Sequence, residues 1–127
     1  MTIQEIADLI SEKAGWSAKR PDDNNTIKFE LEGNINVHIH SPNGESVFLY
    51  SKIATLSSDN YTQKQELEKY AKLAVATCKN KKSIISCKDN SLVLHQDISQ
   101  KDRDSILSYT KDFLNDVAWW KKQVVNL

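Results

Sequence analysis

From Thr26 to His40 the chain alternates between apolar and polar residues with a period of two. Ile27, Phe29 and Leu31 alternate with Lys28, Glu30 and Glu32; after Gly33-Asn34, Ile35, Val37 and Ile39 alternate with Asn36, His38 and His40. Successive side chains of a strand point to opposite faces, so each run has one apolar and one polar face. The Gly-Asn pair between them predicts a hairpin. Ser41-Pro42-Asn43-Gly44 is a second turn signal, and a third strand follows from Val47 to Leu56. Its uninterrupted apolar run Val47-Phe48-Leu49-Tyr50 predicts cover on both faces at that point. These strands form an antiparallel meander whose apolar face needs helices to bury it.

Helical periodicity supplies three such helices. Ile3, Ile6, Ala7, Ile10 and Ala14 recur at helical spacing behind a capping box, Thr2 to Glu5, and Gly15 marks the end. Ser17 to Asn25 is a loop by composition. Thr62 to Gln65 reads as a second capping box, ahead of a stripe of Leu67, Tyr70, Ala71, Ala74, Val75 and Cys78. Two short strands, Ile84–Cys87 and Leu92–His95, flank a hairpin turn at 88–91. A last helix opens near Ser99–Asp102 and carries Ile106, Tyr109, Phe113, Val117, Trp120 and Val124 in steps of three or four. Trp119 and Trp120 cannot share one side of it: one packs inward and the other is a candidate surface anchor. The fold class is therefore α+β, an antiparallel sheet (three-strand meander plus hairpin) with three helices in the order α-β-β-β-α-β-β-α.

The 127 residues fit a single domain, 1–127, with no repeat or linker to divide it. A chain of this size buries about two thirds of its unfolded surface and needs no disulfide or metal to hold it. Lys+Arg and Asp+Glu balance at 17 each, which points away from nucleic acid and anionic membranes. Lys79, Lys81, Lys82 and Lys88 cluster where the second helix ends, a position that suits the helix dipole. No run reaches the roughly 18 apolar residues of a membrane span, and the opening residues lack the basic and apolar regions of a signal peptide. Cys78 lies on a helical stripe and Cys87 in a strand-like run; buried free thiols in a reducing cytoplasm are the expectation.

Catalytic chemistry has little to stand on. His38 and His40 share a strand face, and with His95 and the carboxylates Glu30 and Glu32 they are the available metal ligands. Their neighbours on that face, Asn36 and Lys28, suit an ordinary wet sheet surface. No Gly-x-Ser-x-Gly elbow occurs, and Gly15, Gly33 and Gly44 all fall at turns or helix ends, so no phosphate-cradling loop exists. The apolar residues are the more informative set, since some of them can form a groove for a partner segment and a sheet edge can accept an added strand.

The opening helix "IQEIADLI", the strands "TIKFELEG", "NINVHIH" and "ESVFLYSKI", the Leu67–Cys78 helix, the hairpin "SIISCKDNSLVLHQDI" and the long closing helix together span nearly the whole chain. In that order they resemble the class I chaperones of bacterial type III secretion systems. The resemblance implies a cytoplasmic bacterial homodimer without enzymatic activity, cofactor or metal. Its partners would be the non-globular N-terminal segment of one or more secreted effectors, a second copy of itself and, further, the secretion ATPase. The effector-binding residues so implied are Ile3, Ile6, Ile10, Ile27, Phe29, Ile35, Val37, Val47, Phe48, Leu49 and Tyr50. The implied dimer interface comprises Leu67, Tyr70, Ala71, Ala74, Ile84, Ile85 and Cys87. Two other readings stand beside it: another small dimeric α+β protein-binding adaptor, and a small metal-dependent enzyme using His38, His40 and His95.

Overall fold

The computed structural model describes residues 3–16, 26–31, 35–41, 46–78, 83–99 and 103–125. The elements are α1 (Ile3–Ala14), β1 (Thr26–Leu31), β2 (Ile35–His40), β3 (Phe48–Thr55), α2 (Asn60–Thr77), β4 (Ile84–Lys88), β5 (Ser91–Asp97) and α3 (Arg103–Val125). The expected order of three helices and five strands is the observed one. The strands form one antiparallel sheet in the order β1-β2-β3-β5-β4. The hairpin thus joins the meander through β5, with β4 and β1 at the edges.

Register settles which side chains share a face. Ile27 pairs with Ile39, Phe29 with Val37, Ile39 with Leu49, and Ser51 with Leu94. All of these are completely buried, and all but Ser51 meet Ile6 and Ile10 of α1 and Phe113, Val117 and Trp120 of α3 in one core. α1 and α3 pack on this face and on each other. Burying an aliphatic or aromatic side chain this fully contributes about 1.5–3 kcal/mol each, which is what ties the helices down. A bulge between Lys52 and Ala54 interrupts the pairing of β3 with β5 and leaves Ile53 in the core.

Local chemistry fixes the ends. Gly15 ends α1 with φ +74°, a left-handed conformation that glycine adopts without penalty, and its N–H donates to the Ser11 carbonyl at 3.1 Å. Asp89 and Asn90 carry φ of 50° and 60°, as a two-residue primed turn between β4 and β5 requires. α2 begins two residues before the expected capping box. Asp59 is its N-cap, accepting from the Thr62 N–H at 2.9 Å and the Thr62 hydroxyl at 2.8 Å, so Thr62 is a donor in the first turn. The box at Thr2, the two turns after β1 and β2, the Ser17–Asn25 loop, the lysines at 79–82 and the segment 100–102 lie outside the described residues.

Three expectations change. Cys78 and Cys87 are exposed, because α2 buries a single residue, Tyr70, and β4 is an edge strand. The run at 47–50 is covered on one face only: Leu49 is buried, while Phe48 and Tyr50 on the opposite face are half-buried. Val47 precedes the strand. Its N–H donates to Ser99 Oγ at 2.7 Å and its carbonyl accepts from the Ile98 N–H at 2.9 Å, which seats it in the core.

Candidate functional site

The residues expected to form an apolar groove and a dimer interface divide between three places. Ile6, Ile10, Ile27, Phe29, Val37, Val47 and Leu49 expose no more than 4 % of their surface and fill the chain's own core. The correction follows from packing: α1 and α3 lie directly over the sheet face that the alternation marks as apolar. Ile3 and Ile35 are half-buried at the rim of that core. Phe48 and Tyr50 stand on the far face of the sheet.

That far face is where the histidines are. His38 pairs with Tyr50, His40 with Phe48, and Tyr50 in turn with His95. Every histidine of the chain therefore lies beside an aromatic ring of β3. His38 meets Tyr50 edge to face, with ring centroids 5.7 Å apart at 85°. His40 Nδ1 shares a hydrogen bond with the Thr26 hydroxyl at 2.8 Å. Burial, and then the Asp89 carboxylate, hold the Tyr50 phenol above the usual tyrosine range. Lys28 and Glu30 form an ion pair at 3.4 Å on the same face. Of the far-face residues of these strands, Val93 is the buried one. Among the described residues no group of three His, Cys, Asp or Glu side chains is gathered to hold a metal. This face sets the aromatic rings of Phe48 and Tyr50 among polar side chains.

The third place is the edge made by α2 and β4. Val75 and Ile84 expose 75 % and 59 % of their surface, a costly display for large aliphatic side chains. Of the residues expected at an interface here, Ala71 and Cys87 are exposed, Ile84 strongly so, and Leu67, Ala74 and Ile85 are half-buried. Tyr70 is the correction: it is 5 % exposed and belongs to the core. A cleft of about 190 Å³ lies among Ala74, Cys78, Ile84, Ile85 and Trp120. Trp120 is buried, as one of the two was expected to be, and Trp119 is half-buried against the core at right angles to it, centroids 5.2 Å apart. The alternation pattern could not show Val75 and Ile84 as exposed, because both match the pattern of buried positions.

No helix among the described residues is long and apolar enough to cross a membrane. No curated protein matches the chain in sequence. Several solved structures match in fold. A chain of the HopA1–SchA chaperone–effector complex superposes with a TM-score of 0.66 at 12 % identity, over 95 % of this chain and 94 % of that one. A chain of the ExsC–ExsE complex gives 0.64 at 11 % identity, over 96 % and 94 %. A chain from the complex of the Yersinia pestis type III secretion chaperone SycH with a stable fragment of YscM2 gives 0.61 at 10 % identity, over 91 % and 97 %. Residues 6–121 match the model of one family, and on that match, with the fold in agreement, the chain belongs to the Tir chaperone (CesT) family.

Proposed function

We propose that this protein is a type III secretion chaperone, which binds the non-globular N-terminal segment of one or more effectors in the bacterial cytoplasm and keeps it ready for export. The family match over residues 6–121 carries the reading. It is supported by solved chains of the same fold that belong to complexes, one of them a chaperone–effector complex. The work of such a protein is binding. No enzymatic step, metal or cofactor is proposed, and the secretion ATPase is a further partner.

The exposed edge of α2 and β4 is the proposed homodimer contact, centred on Val75 and Ile84 beside the cleft. The proposed client contacts are the half-exposed members of the expected set, Ile3 and Ile35 on one side and Phe48 and Tyr50 on the other. An extended segment can reach both by wrapping round the sheet, where a large contact area offsets the cost of ordering it.

Deleting the gene in its source bacterium should lower the stability and export of at least one secreted protein, and restoring the gene should reverse this. Light scattering should give a mass twice the 14.5 kDa of the chain. A monomeric protein whose deletion leaves every secreted protein unchanged would sink the proposal.

A further inference from the structure

Between the end of α1 and α3 lies a second groove. It holds about 320 Å³ and is lined by Ile10, Lys13 and Trp16 from the end of α1 and by Leu107, Thr110, Lys111 and Leu114 of α3. That volume is at the lower end for ligand pockets, about 300–1,000 Å³, and suits one or two apolar side chains.

The walls are built. Ile10 and Thr110 are buried, and the Thr110 hydroxyl donates to the Ile106 carbonyl at 2.7 Å, so among the described residues the floor is apolar in character. Trp16 is fixed by its edge-to-face contact with Phe29, centroids 5.4 Å apart. Leu107 and Leu114 stand half-exposed, one on each side of Thr110.

Among the described residues the charge at the rim is one-sided: Lys13 and Lys111 are the ionisable residues of the lining, both exposed. Glu12 and Asp112, their neighbours in the chain, are exposed and are not part of it. An apolar floor under two cations fits an apolar side chain flanked by carboxylates. It does not fit a second copy of the same face, because an isologous contact would set these lysines against each other.

We infer that this groove takes a short acidic-apolar stretch of the client, a leucine-like side chain bracketed by Asp or Glu, and that Lys13 and Lys111 select for those carboxylates. The inference rests on the proposed function for the identity of the client, and on the groove alone for its chemistry.

Two peptides test it, acetyl-Glu-Leu-Leu-Glu-amide and acetyl-Lys-Leu-Leu-Lys-amide, titrated into the ¹⁵N-labelled full chain. The readout is the Trp16 indole resonance, assigned with Trp16→Phe. The glutamate peptide should shift it and the lysine peptide should not. Lys13→Glu/Lys111→Glu, at two exposed positions, should invert that preference, and should weaken an identified client about five-fold or more, as loss of exposed ion pairs does. Circular dichroism checks that the variant folds. A Trp16 resonance unmoved by the glutamate peptide, or an unchanged preference in the variant, overturns the inference. A response to decanoate but to neither peptide overturns it in favour of a lipid. A client bound equally by wild type and variant leaves the chaperone reading standing and removes this groove from it. A wild-type chain that binds the glutamate peptide and no client does the reverse.

Discussion

His38 on β2 stands edge-on to Tyr50 on β3, ring centroids 5.7 Å apart at 85°. This cross-strand contact gives His38 a partner on the sheet face, as the Thr26 hydroxyl does for His40. Directly opposed pairs of this kind contribute about 0.2–1 kcal/mol. A double-mutant cycle on His38→Ala and Tyr50→Ala, read by urea unfolding, should return a coupling in that range. A coupling indistinguishable from zero would mean the rings are only neighbours.

The phenols of Tyr50 and Tyr70 are both held above the usual tyrosine range. Burial is the main cause in each, followed by the carboxylate of Asp89 for Tyr50 and of Glu66 for Tyr70. A raised folded-state value means that the neutral phenol is favoured in the fold. The associated stability is present below about pH 10, the unfolded value, and is lost as pH rises from there through the raised folded value. Thermal unfolding followed from pH 8 to 11 should show Tm falling at the alkaline end, and Tyr50→Phe/Tyr70→Phe should flatten that fall.

Asp59 behaves in the opposite sense. The Thr62 backbone N–H, and then its hydroxyl, hold the Asp59 carboxylate below the usual range. The stabilising effect is present above about pH 4 and is lost as pH falls through the depressed folded value. Asp59→Ala should lower Tm at neutral pH and reduce its acid dependence, and Asp59→Asn, which still caps, should retain more of the neutral-pH stability.

Phe113 of α3 is completely buried in the core. Phe113→Ala should cost about 3–5 kcal/mol of unfolding free energy, the range for removing a buried phenylalanine. A loss below 1 kcal/mol would show that α3 is held some other way.

Val75→Glu and Ile84→Glu separate fold from assembly. Both side chains are exposed in the single chain, so each change should alter the stability of its fold by no more than about 0.5 kcal/mol. In light scattering, the pair together should convert a dimer to a monomer. A double variant that stays dimeric places the interface elsewhere.

The alternation from Thr26 to His40 made β1 and β2 and their apolar faces legible from sequence, because burial on one face imposes period two directly; the register, Leu31 opposite Ile35, was not. The steps of three and four from Ile106 to Val124 made α3 legible for the same reason. Neither pattern says what covers an apolar face. Ile6, Phe29 and Val37 satisfy a groove and a core equally well in sequence, and only the docking of α1 and α3 decides for the core. Cys78 and Val75 follow the stripe of a buried helix, yet α2 buries Tyr70 alone and leaves them exposed. The α1–α3 groove was not legible at all. It joins Trp16 to Leu107 across some ninety residues of sequence, and nothing local connects them.

The strand order has a consequence for how the chain comes together. β1, β2 and β3 are joined in sequence, as are β4 and β5, but the seam that unites the two groups pairs β3 with β5 across α2. Such a long-range seam must close a loop before it gains any contact, so it forms slowly. During synthesis the inner edge of β3 therefore waits, unpaired, until residues 91–97 have left the ribosome. Pulse-labelled amide exchange during refolding should show the β1–β2 pairing protected first, and Ser51 and Leu94, which pair across the seam, later and together. The seam that makes one sheet of two pieces is also the interval in which a nascent chain of this kind is most open to pairing with its neighbours.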